Sequence, residues 1–253
     1  MTDDRLVQYS ADRGIARIAL DSPRNRNALS AALMTQLEQA LAGAAADPAV
    51  RAVELTHTGS AFCAGADLAE ARAGGMASGT ARLMGLLRQI LELPKPVVAS
   101  IDGHVRAGGM GLVGACDIAI AGPASTFAFS EVKLALAPAI ISLTTLPRLS
   151  PRAAGRYYLT GETFGAAAAA AMGLITEAVD DIDAGTMTVL DALRGGAPQG
   201  LAETKPLLTA AVLARFDAAG DELVAQSARL FASADAAEGM AAFLAKRPPL
   251  WAG

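Results

Sequence analysis

The chain has 253 residues, of which 53% are apolar and 18% charged, and its net charge is −4. This is enough apolar material to bury a core and excludes a disordered chain, while the acidic balance leaves no surplus of cations to grip a nucleic acid. The two cysteines, Cys63 and Cys116, lack metal-ligand spacing and exclude a disulfide framework. With a polar, acidic first ten residues and no uncharged apolar run near the ~20 residues of a membrane span, they predict a cytoplasmic protein that engages neither nucleic acid nor membrane.

In chain order, Leu6–Tyr9 and Gly14–Leu20 read as paired strands. Ser30 is placed to cap a helix running to about Ala46, with Leu33, Leu37 and Leu41 on one face. Arg51–Thr56 alternates as a strand does, and 57–60 turns the chain, which makes His57 a surface turn residue. Arg82–Leu93 carries a helical apolar stripe ended by Pro94 and Pro96. Val97–Ile101 is an all-apolar strand buried on both faces, Met110–Ala115 a helix, and Asp117–Ala121 a second buried strand. The rhythm predicts an α/β core with a mixed or parallel sheet over 1–195. From Pro151 onward the pattern turns helical: Pro151–Leu159, an alanine-rich helix over 164–173, Met187–Leu193, Leu201–Leu213, Ala218–Phe231 and Ala236–Ala245. The stretch 196–253 reads as a helical packing or oligomerisation region.

Three segments carry chemistry. Gly59–Leu68 follows a strand with small residues that let another molecule approach the backbone. Asp67 can cap the next helix, which leaves the Ala66 N–H free for an anion or a polarised carbonyl. Asp102–Gly111 also leads from a strand into a helix, and Gly108 and Gly109 stand where unpaired N–H groups and the positive end of the helix dipole project. Two such donors from separate loops make an oxyanion hole. In Phe127–Val132, Glu131 sits among apolar neighbours, so burial should raise its pKa toward neutrality and fit it to shuttle protons. Cys63 reads as an apolar filler and His104 as a structural histidine.

These segments occur in one order: Asp21-Ser22-Pro23-Arg24-Asn25-Arg26-Asn27-Ala28-Leu29, then Ala64-Gly65-Ala66-Asp67, Gly108-Gly109, Cys116-Asp117-Ile118 and Ser130-Glu131. An ending with Phe231-Ala232-Ser233, Glu238-Gly239-Met240, Phe243-Leu244 and Lys246-Arg247 follows. Over nearly its whole length the chain resembles the crotonase superfamily, the enoyl-CoA hydratase/isomerase family. The resemblance implies a spiral of ββα turns with a C-terminal helical trimerisation region, and assembly as a homotrimer or hexamer. It implies an acyl-CoA substrate, coenzyme A entering only as part of that substrate, with no metal and no redox cofactor. By resemblance Ala66 and Gly108 take the oxyanion-hole positions, and Arg24, Arg26 and Ala28 border the adenine and phosphate end of coenzyme A. Ala64, Asp67 and Leu68 line the pantetheine, and Lys246 lies where a neighbouring subunit reaches the nucleotide. Arg106, Gly109, Gly111, Ser130, Pro138 and Ala139 fall on the substrate pocket.

One departure matters. Hydratases of this family commonly use two glutamates; the second matches Glu131, but the first would fall at Gly111. Hydration of a 2-enoyl-CoA then asks one carboxylate to hold water and deliver a proton. Moving a double bond asks for one base only. Bacterial proteins described as methylglutaconyl-CoA hydratase-like are similar around Gly111 and Glu131-Val132-Lys133-Leu134, and Arg106 is placed to meet a carboxylate on such an acyl group. The alternatives are double-bond isomerisation, decarboxylation or thioester hydrolysis on the same scaffold, or a silent acyl-CoA-binding homologue.

Overall fold

A computed structural model describes Arg5–Asp67, Glu70 and Met76–Ala252. Strands β1 (Val7–Asp12) and β2 (Ile15–Leu20) form an antiparallel hairpin, and β2 then pairs in parallel with β3 (Ala52–His57). Between them runs α1 (Ala31–Ala46), whose first turn is capped by Ser30 Oγ accepting from the Leu33 N–H. Its spacing buries Leu33, Leu37 and Leu41 completely, each contributing roughly 2 kcal/mol of apolar transfer.

From β3 onward the chain repeats one unit. A strand enters the large sheet, the next strand enters a small sheet, and a helix returns. The units are β3 with β4 (Ala61–Cys63) and α2 (Met76–Glu92), β5 (Val97–Ile101) with β6 (His104–Arg106) and α3 (Gly108–Ala115), and β7 (Ile118–Ala121) with β8 (Thr126–Ala128). The short helices α4 (Ser142–Thr145), α5 (Pro151–Thr160) and α6 (Ala166–Ala171) follow. Two two-residue strands complete the sheets: β9 (Phe164–Gly165) lies antiparallel to β8, and β10 (Glu177–Ala178) parallel to β7. The large sheet has the order β1-β2-β3-β5-β7-β10 and the small one β4-β6-β8-β9. Within the small sheet β4, β6 and β8 are parallel, so their C-terminal ends lie on one edge.

The main core fills the space between the two sheets and α1, α2 and α3. Behind the large sheet, Ile15, Ala52, Val98, Ile120 and Leu190 form a second cluster beneath α7 (Ile182–Gly195). All eight residues of α3 are buried, which its Gly-Gly-Met-Gly-Leu-Val-Gly-Ala composition allows.

Two readings need correction. The pair of helices expected over 201–213 and 218–231 is one helix, α8 (Pro198–Phe231), with Pro206 inside it. No breaker separates the halves, and Phe216 is buried beneath Arg88 of α2. Beside Pro206, Lys205 anchors the helix by donating to Ile90 O (2.8 Å) and Lys95 O (3.0 Å) and pairing with Asp117 (2.8 Å). His57 is not a surface residue: its ring packs edge-on against Phe62, and Nε2 accepts from the Asp102 N–H. The last α-helix among the described residues is α9 (Ala234–Leu244), capped by Ser233, and a 3-10 turn over Leu250–Ala252 follows it. Among the described residues no helix is long and apolar enough to cross a membrane.

Candidate active site

Each strand of the small sheet's parallel part ends at a turn of the site. After β4 the chain passes through Ala64-Gly65-Ala66, with Gly65 at φ +90°. A Cβ built on Gly65 would lie 2.7 Å from the Ala107 Cβ and 3.4 Å from the Gly108 nitrogen. Only glycine permits this approach, and it brings the Ala66 turn against the turn after β6. On the other side, Leu29 N–H donates to Gly65 O (2.8 Å), and Ala64 N–H to Arg26 O (3.0 Å). The 22–29 segment is itself pinned by Asn27, fully buried at φ +54°. Its side chain accepts from Ser22 N–H and donates to the carbonyls of Thr58 and Ala61. Asn27 stood in the motif without an assigned role; a buried asparagine tolerating a left-handed backbone was the available signal.

After β6, Ala107 adopts φ +46° and ψ −118°, a conformation costly for any residue with a Cβ, and α3 starts at once with Gly108. Among the described residues no backbone carbonyl accepts from the N–H of Ala66 or of Gly108. The Gly108 N–H also lies at the positive end of α3.

After β8, a 3-10 turn spans Ser130–Leu134, is closed by Ala135 at φ +56°, and is tied by Leu136 N–H donating to Glu131 O (3.0 Å). The Glu131 side chain is buried, and among the described residues nothing hydrogen-bonds its Oε2. Burial pushes its pKa up from 4.5 to about 7, against a smaller opposing pull from its own backbone N–H. Tyr158 of α5 lies close enough to feel its charge, and the Tyr158 hydroxyl is engaged with Thr145 (2.5 Å).

One cavity of about 720 Å³ joins these turns, lined by Ala66, Gly108 and Glu131 together. Two residues whose N–H groups no described backbone carbonyl accepts from, and one protonatable carboxyl, thus line one space; a pair of such donors is the kind of arrangement that can stabilise an oxyanion. A family model described as enoyl-CoA hydratase/isomerase matches residues 10–253. The chain belongs to the enoyl-CoA hydratase/isomerase family. A crystal structure of an enoyl-CoA hydratase from Mycobacterium avium is 55% identical and superposes with a TM-score of 0.93, over 98% of this chain and 99% of that one. A protein of Rhodobacter capsulatus named a probable enoyl-CoA hydratase is 36% identical over 98% of each chain. The mevalonyl-coenzyme A hydratase of Aspergillus fumigatus is 31% identical over 94% of this chain and 91% of its own.

Most positions expected from the enoyl-CoA hydratase/isomerase resemblance line the cavity: Arg24, Arg26, Ala28, Ala64, Asp67, Arg106, Ser130, Pro138 and Ala139. Asp67 accepts from the Glu70 N–H (3.3 Å). Leu68 lies outside the described residues. Arg106 borders the cavity, but its guanidinium turns back on the sheet. It donates to Val105 O (2.9 Å), Thr126 O (2.7 Å) and Thr126 Oγ1 (2.9 Å), and so holds β6 to β8. Cys63 is a buried filler whose thiol pKa burial raises to about 12.

Two expectations are corrected by placement. Gly109 is not in the cavity wall but behind it, where a Cβ would meet Cys63 O at 2.7 Å. Gly111 is likewise behind the wall, covered by Ile141. Lys246, expected at a neighbouring subunit's nucleotide site, is exposed just beyond α9. Conversely, Ser227, Phe231, Phe243 and Leu244 from the C-terminal helices do line it. Sequence reasoning missed them because only long-range packing brings α8 and α9 to the site.

Proposed function

We propose that this chain hydrates the double bond of a 2-enoyl-CoA, with Ala66 and Gly108 holding the thioester oxygen and Glu131 moving the proton. The observation that carries the reading is Glu131: a buried carboxyl, raised by burial to a pKa of about 7, whose Oε2 has no hydrogen-bond partner among the described residues, sharing a cavity with Ala66 and Gly108, whose N–H groups no described backbone carbonyl accepts from. Its ionised form takes a proton from water as the water oxygen bonds to Cβ. Negative charge moves to the thioester oxygen, where each hole donor contributes roughly 3 kcal/mol of transition-state stabilisation. The protonated Glu131 then returns its proton to Cα as the enolate collapses. Arg24, Arg26 and Ala28 serve the nucleotide end of coenzyme A, and Ala64 and Asp67 the pantetheine. Coenzyme A is part of the substrate, and trimeric or hexameric assembly belongs to the same reading.

A second reading, double-bond isomerisation, is favoured by one observation. The space over Gly111, where a second carboxylate would stand, is filled by Ile141. One carboxylate can take a proton from Cα and return it at Cγ without any water to position.

A panel of 2-enoyl- and 3-enoyl-CoAs in deuterated water tests both. Hydration gives a Cβ hydroxyl with deuterium at Cα, and Glu131→Gln lowers it about 10²–10⁴-fold. Migration of the double bond, with exchange at Cα and Cγ and no hydroxyl formed, establishes the second reading instead. Binding without turnover of any thioester sinks both.

A further inference from the structure

The turn that carries Glu131 is gripped from two sides by backbone-close contacts. On one side a Cβ built on Gly161, at φ +59° just after α5, would lie 3.1 Å from Phe129 O and 3.0 Å from Val132 Cγ1. On the other, a Cβ on Gly239 of α9 would lie 2.8 Å from the Cα, C and O atoms of Leu134. The second contact is helix against bare backbone, and no flexible side chain is there to give way. Around it Leu136, Ala236 and Met240 form a buried cluster of their own, with Leu134, Leu230 and Phe231 packed against it and apart from the main core. The helix is fixed at its start by Ser233 Oγ accepting from Ala236 N–H (3.1 Å). Beyond its end, Arg247 donates to both oxygens of Glu238 (2.6 and 2.8 Å). Phe243 and Leu244 of the same helix line the cavity.

We infer that α9 is a positioning element for the reaction: Gly239 seats it on the Leu134 backbone and thereby holds the Glu131 turn against the cavity. Glu131 has no hydrogen-bond partner at Oε2 to fix its place among the described residues, so its aim depends on how the turn is packed. A displacement of 1 Å in such a group costs about a hundredfold in rate. The groups facing the carboxyl do not compete for this role. Among the described residues α9 packs on the turn through the uncharged Ala236, Gly239 and Met240, and Glu238 is paired with Arg247. The α5 side presents Tyr158, tied to Thr145, while Lys133 on the turn itself is exposed near Glu162.

The inference rests on Glu131 as the group that moves the proton, so its test includes a readout that needs no turnover. The titration midpoint of the Glu131 carboxyl is measured by difference infrared spectroscopy, subtracting Glu131→Gln, in the wild type, Gly239→Ala and Met240→Ala. Gly239→Ala pushes the helix off the turn, and Met240→Ala loosens the same cluster without overfilling it. Each is expected to move the midpoint down by about one unit as water reaches the carboxyl. Turnover should fall about tenfold with KM altered less than twofold, because the loss is in the reacting geometry. An unchanged midpoint and unchanged turnover in the variants that fold overturns the inference. Failure of both to fold overturns it too, since α9 would then belong to the general core and not to a local clamp. A shifted midpoint in a wild type that turns over no acyl-CoA leaves the clamp standing and removes the proposed function.

Discussion

Ile141 stands over Gly111: a Cβ at position 111 would lie 2.7 Å from Ile141 Cγ2 and 3.2 Å from Leu87 Cδ1. The Gly111 carbonyl below also accepts from Thr144 Oγ1 (3.0 Å). The site is therefore more than a family site with one carboxylate deleted, because its wall has closed over the vacated position. Gly111→Glu alone is expected to lose about 1–3 kcal/mol to overpacking and gain no hydratase activity. Gly111→Glu with Ile141→Ala should recover part of that stability. Thermal unfolding of the two variants checks the first point, and hydration assays the second.

The Glu131 carboxyl sets stability against activity. Its pKa is raised from 4.5 to about 7 by burial, so its contribution to stability is fully present below pH 4.5 and is lost as the pH rises through 7. The difference corresponds to about 3 kcal/mol. Glu131→Gln should therefore unfold several degrees above the wild type at pH 8 and close to it at pH 4.5. Hydration by the wild type should rise over the same window, since the ionised form starts the reaction. Unfolding scans from pH 4.5 to 8 and kcat profiles from pH 5 to 9 measure both.

Gly65→Ala places a methyl group at 2.7 Å from the Ala107 Cβ, on a backbone at φ +90°. The turns bearing Ala66 and Gly108 must then part. A hundredfold loss of kcat/KM, to order of magnitude, is expected, with the Glu131 titration unmoved. Steady-state kinetics beside the infrared titration separates this from damage to the proton-carrying turn.

Local features were legible and distant ones were not. Ser30, with Leu33, Leu37 and Leu41 behind it, announces α1 because cap and stripe lie within four turns. The Ala66 and Gly108 turns could be found because each follows an apolar strand and opens on glycine. The continuity of α8 across 214–217 was hidden, since there it depends on Phe216 packing beneath Arg88 of α2, far back in the chain. The same reason hid the C-terminal wall of the cavity. That Gly111 lies outside the cavity follows from the position of Ile141, thirty residues on, which no local pattern encodes.

Lys205 and Asp117 form a buried pair at 2.8 Å, with side chains 3% and 9% exposed. Burial holds the Lys205 pKa below its usual range while Asp117 pulls it back up. Lys205→Met leaves the Asp117 charge and two backbone carbonyls without their cation, and about 3–5 kcal/mol of stability should be lost. Adding Asp117→Asn should restore some of it. Chemical denaturation of the single and double variants reads the coupling.

The parallel register of β4, β6 and β8 has a consequence for how such a protein can change. In the proposed reaction the first two strand ends grasp the thioester and the third carries the proton. The pieces are covalently remote yet delivered to one edge by backbone pairing that does not depend on their side chains. Replacing Glu131, or refilling the space over Gly111, rewrites the reaction while leaving the grip on the substrate intact. Descendants of such a scaffold can therefore diverge in what they make before they diverge in what they hold.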